Sequence, residues 1–224
     1  MYAMLGTCPD LAYAVSTLGQ FNANPSSTHA GAAKRTLRYL CHTQQHDLFY
    51  GGELGRGLTG YCDLDWASDP DTRHSTTGYV FILAGAAISW KSRRQPTVAR
   101  SSTEAEYMAV SDAASEVIWL NRLYTELTAE LTLKPHKPLL VHIDSTGSMS
   151  LAHNPRHHDR TKHIDVRHHF IREAINNGHV ELQHVSSEEN TADALTKQLP
   201  QPPHELHRAS MGVFLVKSSK FGFG

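Results

Sequence analysis

Four acidic residues stand on or beside segments with strand or helix patterns, and together they could bind metal ions. They are Asp63 in a predicted strand, Glu106 early in a predicted helix, Asp144 at the end of another strand, and Asp193 in a last helix. A buried carboxylate is costly unless its charge is compensated, and Mg²⁺ does this well because it prefers hard oxygen ligands. Two such ions about 3.5–4 Å apart can hold the attacking water and the leaving oxygen of a phosphodiester displacement. Any one acid alone is more often a cap or a salt bridge, so the joint placement is what favours this chemistry.

Two of these acids have an acidic neighbour that competes for the same role. Glu104 and Glu106 are about 200° apart around a helix, so they cannot both face one sheet. Glu104 forms a capping-box pair with Ser101, whereas Glu106 is in phase with the apolar residues of the helix, which favours Glu106. Asp63 and Asp65 share one face of a strand, so the residues alone leave that choice open.

The first elements that must position the acids follow from hydrophobic periodicity. Short runs rich in β-branched and aromatic residues, separated by Gly-containing turns, predict antiparallel strands at 58–66, 78–85 and 86–92. A long helix should follow, because apolar residues recur every three or four positions between Ala105 and Leu127. A strand meander followed by a helix is therefore expected in the first half.

The second half alternates between strands and helices. The continuous apolar run 139–144 predicts a buried, partly parallel strand. Periodicity predicts helices at 145–153 and 164–177, an alternating strand at 179–185 and a last helix at 189–197. The order β-β-β-α-β-α-α-β-α describes an α/β fold with a five-stranded mixed sheet, in which three antiparallel strands precede two crossover strands and helices cover the faces.

The segments on either side of these elements differ in character. Residues 1–52 are predicted to be a helical connector, in which Ser27 and Thr28 can cap a helix. Residues 53–199 would form the main domain. Residues 200–224 are predicted to be a C-terminal tail that begins with three prolines and ends in a frayed FLVKSSKFGFG.

Composition limits the class of protein. The 224 residues and 40% hydrophobic content suit one domain with an appendage, and the formal charge of −1 gives no overall signal for a nucleic-acid partner. The three widely spaced cysteines argue against a zinc ribbon and a disulfide framework, and suit a reducing compartment. No apolar run approaches the ~18 residues of a membrane span, and no signal-peptide pattern begins the chain. We therefore expect a cytoplasmic or nuclear protein, neither secreted nor membrane-bound.

Basic residues are concentrated in two tracts, 91–100 and 156–172, which could contact phosphates without reading base sequence. The candidate nucleic-acid-binding residues are Lys91, Arg93, Arg94, Arg100, Arg156, Arg160, Lys162 and Arg167. An ordinary solvated face is the competing interpretation of each tract. The five histidines of the second tract lack cysteine partners and a common helix face, so no zinc site is expected there.

Several segments, in order, resemble the ribonuclease H region of copia-type retrotransposon polyproteins. They are GYCDLDWASD, RHSTTGYVF, ISWKSRRQPTVARSSTEAEYMAV, HIDSTGS, RTKHIDVRHHFIRE and ENTADALTK. The earlier PDLAYAV and AAKRTLRYL resemble the tract that joins polymerase to ribonuclease H in the same family. The resemblance covers roughly residues 3–199.

This resemblance implies a ribonuclease H-like fold and a nuclease that cleaves the RNA strand of RNA–DNA hybrids with two Mg²⁺ ions, Mn²⁺ being the alternative metal. Its catalytic and metal-binding acids would be Asp63, Glu106, Asp144 and Asp193, which selects Asp63 over Asp65. The implied partners are the hybrid and an upstream reverse transcriptase polymerase domain, with no small-molecule cofactor and no membrane. The implied location is a cytoplasmic virus-like particle or the nucleus.

The chain departs from the family pattern at several positions. Cys8 and Cys41 stand where a basic residue is usual, and Cys62 where serine is usual. Many ribonucleases H carry a histidine before the last helix that is thought to help product release, and the SSEEN loop here has none. The cysteine replacements favour an alternative, in which the chain is an inactive retrotransposon remnant that acts at most as a nucleic-acid-binding or structural domain. The four intact acids favour the enzyme.

Overall fold

The computed structural model describes residues 1–52, 57–128, 138–147, 149 and 162–215. The helices are α1 (Tyr2–Gly6), α2 (Ala12–Gly19), α3 (Ser27–Thr43), α4 (Ser102–Thr128), α5 (Lys162–Asn176) and α6 (Gln201–Ser210). The strands are β1 (His46–Leu48), β2 (Thr59–Asp65), β3 (Thr76–Leu83), β4 (Ala86–Arg94), β5 (Leu139–Ile143), β6 (Val180–His184) and β7 (Val213–Leu215). Among the described residues, no helix is both long and apolar enough to cross a membrane.

Five strands form one mixed sheet in the order β4-β3-β2-β5-β6. The pairs β4–β3 and β3–β2 are antiparallel, whereas β2–β5 and β5–β6 are parallel. The antiparallel meander therefore comes first along the chain, and two crossovers add the last two strands. This confirms the α/β fold with a five-stranded mixed sheet that was expected from the sequence.

Helices α4 and α5 cover one face of the sheet. Small residues of α4, among them Ala109 and Ala113, let the helix lie close to the sheet. Val117 of the same helix is fully buried between helix and sheet. Across from them lie Phe81 of β3 and Val141 of β5. Because burial of apolar area is the main favourable term in folding, this layer holds α4, and thus Glu106, at a set height above the strands.

The N-terminal helices, the turn Thr191–Leu195 and α6 cover the opposite face. The indole nitrogen of Trp90 in β4 donates to the carbonyl of Met4 at 2.8 Å. The phenol of Tyr39 in α3 donates to the buried Asp10 carboxylate, and Arg208 of α6 lies 3.5 Å from the same phenol oxygen. The segment predicted as a connector thus packs on the sheet and on α6.

Three local expectations are wrong. Residues 189–197 form no α-helix: the extended Asn190 interrupts the segment, and its side chain caps the 3₁₀ turn Thr191–Leu195. Ser26 caps α3 in place of Ser27 and Thr28, which lie inside the helix. In the predicted tail, 201–210 are helical and β7 pairs with β1, so Phe214 and Leu215 are not frayed. Most of the helix expected at 145–153 and residues 216–224 lie outside the described residues.

Candidate active site

Three aspartates from three separate elements meet at one edge of the sheet. Strands β2 and β5 are parallel with Tyr61 paired to His142, and continuing this register places Asp63 level with Asp144. The 3₁₀ turn after β6 adds Asp193. One ligand atom from each of Asp63, Asp144 and Asp193 lies within 4.8 Å of the others. Asp65 is not in this group, and it lies two residues further along β2 than the level of Asp144.

Close packing of a turn against β3 brings Asp193 to the strands. Gly78 is the Cα partner of Asp63 in the sheet, and a Cβ added there would lie 2.7 Å from the Cβ of Leu195. The turn can approach this closely only because Gly78 has no side chain. Asn190, which precedes the turn, also ties it to β2, because its side-chain amide donates to the carbonyl of Cys62 at 3.0 Å.

Glu106 faces the same place from α4. It lines a cavity together with Asp63, Asp144 and Ser145, and the Ser145 hydroxyl donates to its carboxylate. Glu104 instead lies at the helix start, where its amide donates to the Ser101 hydroxyl at 3.2 Å. The two glutamates therefore point as their helix phase predicts. We call Asp63, Glu106, Asp144 and Asp193 the acidic site.

Sequence reasoning missed three polar partners of the acidic site. Lys197 donates to Asp193 at 2.8 Å and lies 3.4 Å from Asp63. The hydroxyl of Thr196 donates to Asp63, and that of Ser187, from the SSEEN loop, donates to Asp144 at 2.7 Å. The spacing of four between Asp193 and Lys197 was the available signal for one of them.

The buried charges of the acidic site shift its proton affinities. Burial raises the pKa of Asp63 to about 7, an effect that the Lys197 ammonium opposes and the Asp193 carboxylate strengthens. Burial alone would lower the pKa of Lys197, but Asp63 and Asp193 bring it above its ordinary value. Lys197 thus shares one positive charge between two buried carboxylates.

The donor set suits a hard divalent cation. All members of the group within 4.8 Å are carboxylates, which are the oxygen ligands that Mg²⁺ and Mn²⁺ prefer. A cation there would also favour the ionised form of the buried Asp63. The residues present therefore fit the metal that the sequence predicts.

The predicted nucleic-acid-binding residues have different surroundings. Arg93 and Arg100 are exposed, and the Lys91 ammonium lies 5.8 Å from the centre of the Tyr79 ring. The remaining two described side chains form ion pairs, Arg94 with Asp69 at 3.2 Å and Arg167 with Asp112 at 2.9 Å. Arg156, Arg160 and the side chain of Lys162 lie outside the described residues.

The chain is similar to parts of known proteins, although no protein-family model matches it. It is 43% identical over 213 residues to the retrovirus-related Pol polyprotein from transposon TNT 1-94 of Nicotiana tabacum, covering 95% of this chain and 16% of that protein. It is 41% identical over 213 residues to the corresponding polyprotein from transposon RE1 of Arabidopsis thaliana, covering 95% of this chain and 14% of that protein. The chain thus spans about one sixth of these relatives.

Solved ribonucleases H are also similar. The RNase H1 of the halophilic archaeon Halobacterium salinarum NRC-1 matches 62% of this chain and 93% of its own, with a TM-score of 0.42 and 18% identity. LC11-RNase H1, solved with an RNA/DNA hybrid, covers 62% of this chain and 93% of its own, with a TM-score of 0.43 and 15% identity.

Proposed function

The chain is homologous to part of the retrovirus-related Pol polyproteins of copia-type transposons. From this premise we propose that it is their ribonuclease H region and that it hydrolyses the RNA strand of RNA–DNA hybrids with two Mg²⁺ ions. The observation that supports this most is the meeting of Asp63, Asp144 and Asp193 within 4.8 Å, each from a different element. Two of these aspartates share one cation, since the Lys197 ammonium lies 3.4 Å from Asp63 and 2.8 Å from Asp193.

The residues of the acidic site have distinct tasks in this proposal. Asp63, Glu106, Asp144 and Asp193 would hold the ions, which when bound supply an activated water and stabilise the charge of the transition state. The hydroxyl of Thr196 orients the Asp63 carboxylate, and that of Ser187 orients the Asp144 carboxylate. The two metal-binding carboxylates are therefore held in place before substrate binds. Such preorganisation matters because small misplacements of the reacting groups cost about a hundredfold in rate.

The hybrid is proposed to bind through its phosphates. Arg93 and Arg100 are exposed cations on the first basic tract, and Lys91 lies on the same strand as Arg93. Contacts of this kind give affinity without base preference, which suits a nuclease that must act along a whole hybrid. We also propose that the upstream polymerase of the polyprotein completes the surface that holds the hybrid.

The test is cleavage of a labelled RNA–DNA hybrid by the wild-type chain and by Asp144→Asn. The substitution conserves volume and keeps an acceptor for Ser187, but it removes a carboxylate ligand. We expect Mg²⁺-dependent cleavage of the RNA strand by the wild type, no cleavage with chelator, and a loss of at least a hundredfold in the variant. Single-stranded RNA and duplex RNA serve as controls of substrate class. Equal cleavage by the variant would contradict the proposal.

The inactive-remnant alternative rests on Cys8, Cys41 and Cys62. Cys62 is buried in the core, where a thiol packs as a small apolar group. Cys8 and Cys41 lie on the N-terminal helical segment, away from the acidic site along the chain. The same assay decides between the two functions, since a remnant would bind hybrid in a salt-sensitive manner and would cleave nothing with either Mg²⁺ or Mn²⁺.

A further inference from the structure

We propose that Lys197 is a built-in counter-ion of the acidic site, which an incoming metal ion must displace, so that it weakens metal binding and raises the metal concentration the site requires. This inference deepens the proposed function and rests on it. It concerns the state of the protein before metal binds, and its readout is metal affinity and not cleavage.

The position of the ammonium supports the displacement. Lys197 Nζ is 2.8 Å from Oδ1 of Asp193 and 3.4 Å from Oδ2 of Asp63, so it bridges two of the three residues that lie within 4.8 Å. A metal ion bound by the same carboxylates would compete with the ammonium for their negative charge. Lys197 and a metal on that edge of the site therefore exclude each other.

The surroundings of Lys197 give it a way out. Its side chain is 31% exposed, whereas that of Asp63 is 1% exposed and that of Asp193 is 11% exposed. The ammonium thus sits at the rim, between bulk water and the buried acids. A long, flexible side chain in this position can turn into solvent without disturbing the strands.

The local fold explains why a cation is supplied here. One short segment contains Asp193, which belongs to the acidic site, together with Thr196 and Lys197, which contact that site. Without a cation, the aspartates would repel one another in a poorly solvated edge of the sheet. Lys197 relieves that repulsion in the metal-free protein, and the benefit is lost when a divalent ion takes its place.

A positioning role predicts the opposite sign. If Lys197 served only to hold Asp63 and Asp193 in place, its removal would leave these two metal ligands less well ordered and would weaken metal binding. If it is a displaceable counter-ion, removal abolishes both the competition and the repulsion between two cations a few ångströms apart. At the dielectric of a protein surface this repulsion corresponds to roughly tenfold or more in affinity.

The experiment is a calorimetric titration of Mg²⁺ into the metal-free full chain. Lys197→Met should bind Mg²⁺ roughly tenfold more tightly than the wild type, with Lys197→Arg close to the wild type because it retains the charge. Lys34→Met, which removes an equal charge from the exposed side of α3, is the matched control and should not change affinity. Equal or weaker binding by Lys197→Met would overturn the inference.

Two further measurements keep the result unambiguous. Titrating Asp144→Asn in parallel separates the proposed function from the role of Lys197. If the wild type and Asp144→Asn bind Mg²⁺ equally, the site is not the proposed metal site and the proposed function itself fails. If Lys197→Met does not fold, the wild type labelled with ¹³C-lysine gives the answer. Its Lys197 resonance, assigned by its absence in Lys197→Arg, should shift on saturation with Mg²⁺, and an unchanged resonance would refute displacement.

Discussion

Replacing Asp63 by asparagine should stabilise the metal-free protein at neutral and alkaline pH, although it removes a proposed metal ligand. Asp63 is only 3% exposed, and burial raises its pKa to about 7 from an ordinary value of 3.8. The folded state therefore holds the proton more tightly than the unfolded state does. Linkage then requires that the stability from this group is complete below about pH 4 and is lost as pH rises through 7.

The magnitude follows from the size of the shift. Each pKa unit corresponds to about 1.4 kcal/mol, so between pH 5 and pH 8 the wild type should lose about 2 to 3 kcal/mol through Asp63. The asparagine variant lacks this titration. Thr196 can still donate to the amide oxygen. Lys197 loses its ion pair with Asp63 at 3.4 Å but keeps its contact with Asp193 at 2.8 Å.

The assay is denaturant unfolding with chelator at pH 5 and pH 8, followed by tryptophan fluorescence. Histidines also titrate in this range, so the informative quantity is the difference in pH dependence between wild type and variant. Asp65→Asn is the control: burial raises the pKa of the half-buried Asp65 as well, but its effect should be smaller. Adding Mg²⁺ at pH 8 should stabilise the wild type and not Asp63→Asn. If both proteins lose the same free energy of unfolding from pH 5 to pH 8, the burial argument is refuted.

Three other predictions test the geometry. Glu106→Gln should abolish hybrid cleavage. Glu104→Gln should cost only a few tenths to ~1 kcal/mol of stability, because Glu104 forms hydrogen bonds that cap the start of the helix. An inactive Glu104→Gln would show that the helix phase is misread. Gly78→Ala should destabilise the protein by about 1–3 kcal/mol and reduce cleavage, because the new Cβ would meet Leu195 at 2.7 Å. The control Gly31→Ala, whose new Cβ would have no atom within 4 Å, should stabilise α3. Unfolding curves measure both variants, and equal changes in their free energies of unfolding would exclude the close approach at Gly78. Hybrid affinity, measured by fluorescence anisotropy, should fall steeply with salt and vary little with base sequence; a salt-independent, sequence-selective affinity would rule out the phosphate contacts.

Local sequence determined most of the elements that surround the acidic site. Alternation and apolar runs are properties of neighbouring residues, so strand 58–66 was found at Thr59–Asp65 and strand 179–185 at Val180–His184. Helix phase is equally local, and it separated Glu106 from Glu104. The fold class followed because the order of these elements admits few arrangements of strands and crossovers.

Only the tertiary structure separated Asp63 from Asp65, since both lie on one face of β2. The deciding quantity is the register of β2 against β5, which places Asp63 level with Asp144. Register between distant strands is set when their buried faces pack together, so the residues of one strand alone do not fix it. The resemblance had selected the same residue, but without the spatial reason.

Tertiary structure likewise decided the partners of the acids and the fate of the C-terminal segment. Lys197 reaches Asp63 over 134 positions of sequence because a turn packs on Gly78, and no periodicity encodes that approach. Strand β7 exists because β1 offers it a partner, so a segment that appears frayed by its own pattern becomes ordered. Such contacts form only when distant surfaces are complementary, and that complementarity belongs to the folded chain and not to any short stretch of it.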